Sequence, residues 1–344
     1  MSFRLRFLGI FDTVASVGIQ GGALGDTTGH MAWADPDAAG GVSIHPRIHH
    51  CEHLIAMHES RGSFPLDRAT GPRGAPMANG REWAFPGAHS DVGGGYAPKA
   101  QGKSPTDADK LSQMALTHMY EAARKAAVPL DASRVMAAPS AAATGEGGDG
   151  YDSFVATAAV SKALKDFLAV TPHENTMQSC LLPWLAWQIR HLDDYQRLPF
   201  YQACKPEERK RIDMAQAQLR KDIARVRGGV LGLSARVISD PLSHVPLVGP
   251  AKQAAEVDAT YALIDHDAYR RATEAPALAP AQEHLFGNYV HDSLAGFVED
   301  MKDLLVEPTG RLHWRRIFYG DETPHLAQAD GPAPGASAQA SALV

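Results

Sequence analysis

The sequence predicts an α/β chain: a mostly parallel sheet with flanking helices, joined to a largely helical C-terminal region. Three observations carry that prediction. Two apolar segments, near residues 3–11 and 81–88, each run straight into a titratable residue. A helical pattern with one apolar face follows the second segment. From about residue 153 to 230 the periodicity is mainly helical.

Phe3, Leu5 and Phe7 alternate with Arg4 and Arg6 before Leu8 and Ile10, the period-two pattern of a strand. A Gly-rich loop follows from Gly18 to Gly41. Residues 49–61 (HHCEHLIAMHESR) read as a helix. Residues 81–88 (REWAFPGA) read as a second buried strand, with His89 and then Gly93, Gly94 and Gly95 directly after it. Over 108–127, Leu111, Met114, Ala115, Met119 and Ala122 take core-facing helical spacing. The Ala/Gly/Ser stretch at 137–150 reads as a linker or mobile loop. Residues 206–227 form a helix with Pro206 in its first turn and Glu207 and Glu208 at the positive end of its dipole. Residues 228–250 are Gly-rich and apolar, and order returns over 285–319. These features divide the chain into a core over 1–135, a mainly helical cap or membrane-facing region over 150–325, and an Ala/Pro/Gly/Ser-rich tail over 326–344 that is expected to be disordered.

Composition narrows the function. Hydrophobic residues make up 44% and charged residues 21% of 344, and the formal net charge is −6, so a sizeable core is affordable and a nucleic-acid role has little support. Cys51, Cys180 and Cys204 form neither a CxxC pair nor a dense framework, which points to a reducing compartment. The basic, apolar N-terminus reaches Asp12 too soon for a secretory signal, and no run of about 18 apolar residues predicts a spanning helix.

Chemistry is expected where the two strands end. In open α/β sheets reactive groups gather at the carboxyl ends of the strands. The first strand delivers Asp12 there, in FDTVASVG, and the second delivers His89, in FPGAHSDVGGGY. A carboxylate orienting a histidine that acts as general base is the core of a serine-hydrolase triad. In the order serine, acid, base the serine belongs upstream of Asp12. The residues before Asp12 are the strand itself, with no room for a nucleophile elbow. No Gly-x-Ser-x-Gly occurs anywhere in the chain. Gly232-Leu-Ser234-Ala-Arg236 lacks the second glycine and follows the base.

FLGIFDTVASVG, HESRGSF, EWAFPGAHSDVGGGY and LSQMALTHMYEAA, in that order, resemble a family of α/β-hydrolase domains of unknown function that includes type VI secretion phospholipase effectors. The resemblance covers residues 1 to about 130, with NYVHDSLAGF and GRLHWRRIFYG similar to later parts of such proteins. It implies a partial α/β-hydrolase core, the acid at Asp12 and the base at His89, with Thr13, Ser90, Asp91, Gly93 and Gly94 in support. It places the nucleophile in an elbow before FDTV, a segment this chain lacks. It implies acyl transfer on a phospholipid or other lipid ester at a membrane surface, without cofactor or metal. Secretion-machine and immunity-protein partners are implied too, as is a protein made in the cytoplasm and exported by type VI secretion.

Each candidate has a structural alternative. Asp12 is a common turn former and His89 an ordinary hydrogen-bonded histidine when taken singly. Asp91 suits loop N–H groups, and the glycines suit a turn needing positive φ better than an anion nest. His49 and His53 lie four apart, a metal-binding spacing on a helix, but no HExxH occurs. His291 and Asp292 form a second polar cluster, either a wall of the site with a rival base, or a helix start capped by Asp292 and Ser293. Trp184, Trp187 and Leu181–Leu185 suit a lid or, by default, core. Two rival functions remain: a non-catalytic module that docks on membranes or on a secretion component, and a metal-dependent hydrolase built on the histidine-rich stretch.

Overall fold

The computed structural model describes residues 3–14, 44–61, 64, 66–69, 79–130, 156–171, 177–227, 267–296, 315 and 317–319. A three-stranded parallel sheet has the order β1 (Leu8–Phe11), β2 (Cys51–Ala56), β4 (Gly80–Phe85). Leu8 pairs with Cys51 and Phe11 with Leu54, while Cys51 pairs with Gly80 and Ala56 with Phe85. A second, two-stranded parallel sheet joins β3 (Leu66–Arg68) to β5 (Ile317–Tyr319).

The central strand corrects the helix expected over 49–61. Every residue of β2 is buried, as in a parallel strand covered on both faces. The segment carries helix formers and charged groups, which misled the reading. Its polar side chains are satisfied across the sheet instead. Glu52 accepts from Trp83 Nε1, from His50 Nε2 at 2.8 Å and from His118 Nε2 at 2.9 Å. His53 Nδ1 meets Glu82 Oε1 at 3.0 Å. Burial alone would raise Glu82, but His53 and Arg68 hold it at about 2. Because 51–56 is a strand, the helical metal-binding spacing of His49 and His53 does not arise. Among the described residues no group of three or more His, Cys, Asp or Glu is arranged to hold a metal ion.

Helices α1 (His89–Gly93) and α2 (Leu111–Lys125) pack against one another and against β2. Leu54, Ala56, Trp83, Phe85, Val92, Ala115 and Met119 form the core between sheet and helix. The predicted apolar positions of 108–127 supply the buried Leu111, Ala115 and Met119. The helical region comprises α3 (Ala158–Val170), α4 (Met177–Arg190), α5 (Pro199–Ala203), α6 (Pro206–Arg227) and α7 (Pro280–Asn288), with a further helical segment at 267–274. Thr157 caps α3 by accepting from Val160 N, and α6 begins at Pro206 as its sequence requires. Trp184, Leu181, Leu185 and Trp187 are buried with Phe167, Phe286 and Phe200, so this patch is core. Among the described residues no helix is long and apolar enough to cross a membrane. The linker at 137–150, the Gly-rich 228–250, Ser234 and the tail over 326–344 lie outside the described residues.

Candidate active site

β1 ends at Phe11 and the next residue, Asp12, takes a left-handed backbone with φ 43°. Asp tolerates that region better than most residues, and such strain collects at functional sites. The turn aims the carboxylate into the protein. Asp12 is fully buried, and its N–H donates to Leu54 O. Thr13 leaves the turn by donating its N–H to His53 Nε2 at 3.1 Å and accepting from Asp67 N.

The chain leaves β4 through Gly87, whose φ of 120° and close approach to the Asp91 side chain suit glycine alone. It then enters α1 at His89. Two side chains satisfy the N–H groups at this start, which otherwise lack partners. Asp91 Oδ2 accepts from Ala88 N at 3.0 Å, and Glu59 Oε2 accepts from His89 N at 3.2 Å. Gly94 ends α1 with φ 86°, and its N–H and that of Gly95 donate to Ser90 O. Gly93 has space for a side chain, so only Gly94 of the triplet fits the positive-φ expectation.

The turn and the helix bring Asp12 and His89 together. His89 Nδ1 lies 2.8 Å from Asp12 Oδ2. The imidazole is 30% exposed while the carboxylate is sealed. Among the described residues no hydroxyl lies within hydrogen-bond distance of His89 Nε2. Phe64 packs edge-on against the ring, with centroids 5.0 Å apart, and Arg61 covers Phe64 at 3.5 Å.

Four donors converge on Asp12. Besides His89, Ala56 N donates to Oδ1 at 2.8 Å, and Arg315 spans both oxygens at 2.6 and 2.7 Å. Burial alone would raise this carboxyl. The Arg315 charge and the hydrogen bonds from His89 and Arg315 outweigh it and hold Asp12 far below the usual carboxylate range. A second carboxylate, Glu59, lies close by and is also fully buried. Arg61 clasps it at 2.8 and 2.9 Å, and Ser293 Oγ donates to it at 2.9 Å. Burial would raise Glu59 as well, but Arg61 and then Arg315 lower it.

His291 and Asp292 do not open onto this site. His291 Nδ1 meets Asp91 Oδ1 at 2.6 Å, its Nε2 meets Ala100 O at 3.0 Å, and Tyr96 stacks on the ring at 4.0 Å. Neither ring nitrogen is left for a substrate. Asp292 Oδ1 accepts from Leu294 N, which makes this cluster a capped helix start. Asp91 serves loop N–H groups, as its sequence position suggests.

The sequence reading missed Arg315, Glu59, Arg61 and Phe64. HESRGSF and GRLHWRRIFYG were visible as motifs. Nothing local says that their charges turn inward to meet Asp12 and His89.

A buried carboxylate and a partly exposed histidine are thus paired where two parallel strands end. Residues 1–122 match the family model described as T6SS, Phospholipase effector Tle1-like, catalytic domain, the kind of protein that FDTV and HSDVGGGY resemble. The chain also resembles the crystal structure of an uncharacterized protein from Pseudomonas aeruginosa, with a TM-score of 0.54 at 20% identity, covering 92% of this chain and 51% of that one. At that identity the likeness is one of fold, and the chain spans about half the length of that protein. No curated protein matches the chain.

Proposed function

We propose that Asp12 and His89 are the acid and base of a serine-type lipid ester hydrolase with a partial α/β-hydrolase core. The observation that carries this reading is the 2.8 Å contact between Asp12 Oδ2 and His89 Nδ1, on an imidazole that stays 30% exposed. Asp12 fixes the ring with its proton on Nδ1. Nε2 then takes the proton of a serine hydroxyl as that oxygen attacks the ester carbonyl. Asp12 stabilises the resulting imidazolium, which returns the proton to the leaving alcohol. Water, activated by the same histidine, releases the acyl group. The serine comes from a Gly-x-Ser-x-Gly elbow encoded upstream of Met1. The match to a phospholipase effector model supports phospholipid as substrate. It also supports export by type VI secretion, with secretion and immunity partners. In this reading 1–135 is the catalytic core and 150–325 the cap.

The test is to read the coding sequence upstream of Met1 and express the protein it completes. An in-frame Gly-x-Ser-x-Gly and fatty acid release from phospholipid vesicles are expected, with release abolished in His89→Ala. Absence of the motif, or vesicle hydrolysis that His89→Ala leaves unchanged, overturns the reading.

A further inference from the structure

We propose that Arg315 is a positioning residue that holds the Asp12 carboxylate for His89 and shares its charge, so that the base strength of His89 is set by a residue 303 positions along the chain from Asp12. The inference rests on reading Asp12 and His89 as acid and base. Arg315 is 2% exposed, and all three of its guanidinium nitrogens are engaged. Nη1 reaches Asp12 Oδ1 at 2.6 Å and Ala56 O at 3.1 Å, Nη2 reaches Asp12 Oδ2 at 2.7 Å, and Nε reaches Phe64 O at 3.0 Å. One rigid fork therefore ties together the acid, the end of β2 and the residue whose ring packs on His89.

The geometry has a chemical consequence. A lone carboxylate beside a histidine gives its whole charge to the imidazolium. Here Oδ2 receives both His89 Nδ1 and Arg315 Nη2, so a protonated His89 shares Asp12 with a permanent cation. Asp12 still selects the Nδ1–H tautomer, but it draws a second proton onto the ring less strongly than it would alone. The other charges facing His89 are Glu59, which accepts its backbone N–H, and Arg61, which pairs with Glu59 and covers Phe64. Asp91, on the helix of His89 itself, turns away to His291. Glu59 and Arg61 neutralise each other, which leaves Arg315 as the cation acting through Asp12.

The test is an NMR titration of the His89 ring in the native chain, in Arg315→Gln and in Arg315→Lys, with His89→Ala used to assign the signal. The measurement needs no turnover. An inactive protein would count against the acyl-transfer reading and leave this result standing. Arg315→Gln is expected to raise the His89 midpoint by about one pH unit. Lysine reaches a single carboxylate oxygen, so Arg315→Lys is expected to raise it by less, and it decides the matter if the glutamine variant does not fold. Midpoints equal to native in the folded variants, with only a lowered melting temperature, would reduce Arg315 to a structural brace and overturn the proposal.

Discussion

Two residues show how position sets chemistry here. At Asp12, the proposed triad predicts that Asp12→Asn leaves the ring in the wrong tautomer and lowers turnover of the completed enzyme by on the order of 10⁴-fold. An initial-rate assay on phospholipid vesicles checks it, and near-native turnover would remove Asp12 from the mechanism. His58 is a different case. It is fully buried, accepts from Gly87 N at 2.9 Å, and is enclosed by Phe167, Trp184 and Phe286. Burial pushes it from 6.5 down to about 3, against a smaller opposing pull from Asp91. The unfolded chain therefore takes up a proton below 6.5 that the folded chain refuses. The stability held by neutral His58 is complete above pH 6.5 and is lost as pH falls toward 3. Between pH 6.5 and 5 the loss is about 2 kcal/mol, in a window where carboxylates contribute little. Urea unfolding at both pH values should show that slope in the native chain and a flatter one in His58→Asn. Equal slopes would mean that the His58 environment is more polar than it looks.

At the scale of elements, the sequence was legible where a period was clean and side chains matched it. The helix at 206–227 began on its proline, and the strand before His89 ended at Phe85, three residues short of the expected 88. β1 spans only Leu8–Phe11, shorter than the alternation from Phe3 suggested. The central strand was illegible because a strand buried on both faces has no alternation to read. Glu52 and His53 look solvent-seeking until Trp83, His118 and Glu82 are seen across the sheet. Asp12 and His89 were legible because strand ends are marked locally, whereas Arg315 was not, since the contact that defines it spans 303 residues. Turn geometry also gives a prediction at this scale. Gly102 has φ 68°, and a Cβ there would stand 1.9 Å from Phe200 O on the backbone of α5. Gly102→Ala should cost about 2 kcal/mol or more, measured as a drop in melting temperature. A native melting temperature would show that α5 yields to the added methyl.

For the whole molecule, the Asp12–Arg315 pair ties the sheet to the C-terminal segment that also supplies β5. Breaking a buried pair strands its remaining charge, so Asp12→Asn or Arg315→Met alone should each cost about 3–5 kcal/mol. The double variant Asp12→Asn/Arg315→Met removes both charges and should lose clearly less than the sum of the two. Denaturant titration of the four proteins reads the coupling directly. Strict additivity would mean that the two side chains do not depend on each other.

That tie also sets an order in time. A ribosome makes Asp12 well before Arg315, which spans both carboxylate oxygens and is more than three hundred residues of synthesis behind it. Until that segment emerges, the acid has no guanidinium and β3 has no β5 beside it. A nascent or C-terminally clipped chain therefore carries Asp12 and His89 without the clasp that fixes them. The Asp12–His89 pair would then reach the geometry seen here only once that later segment has been made.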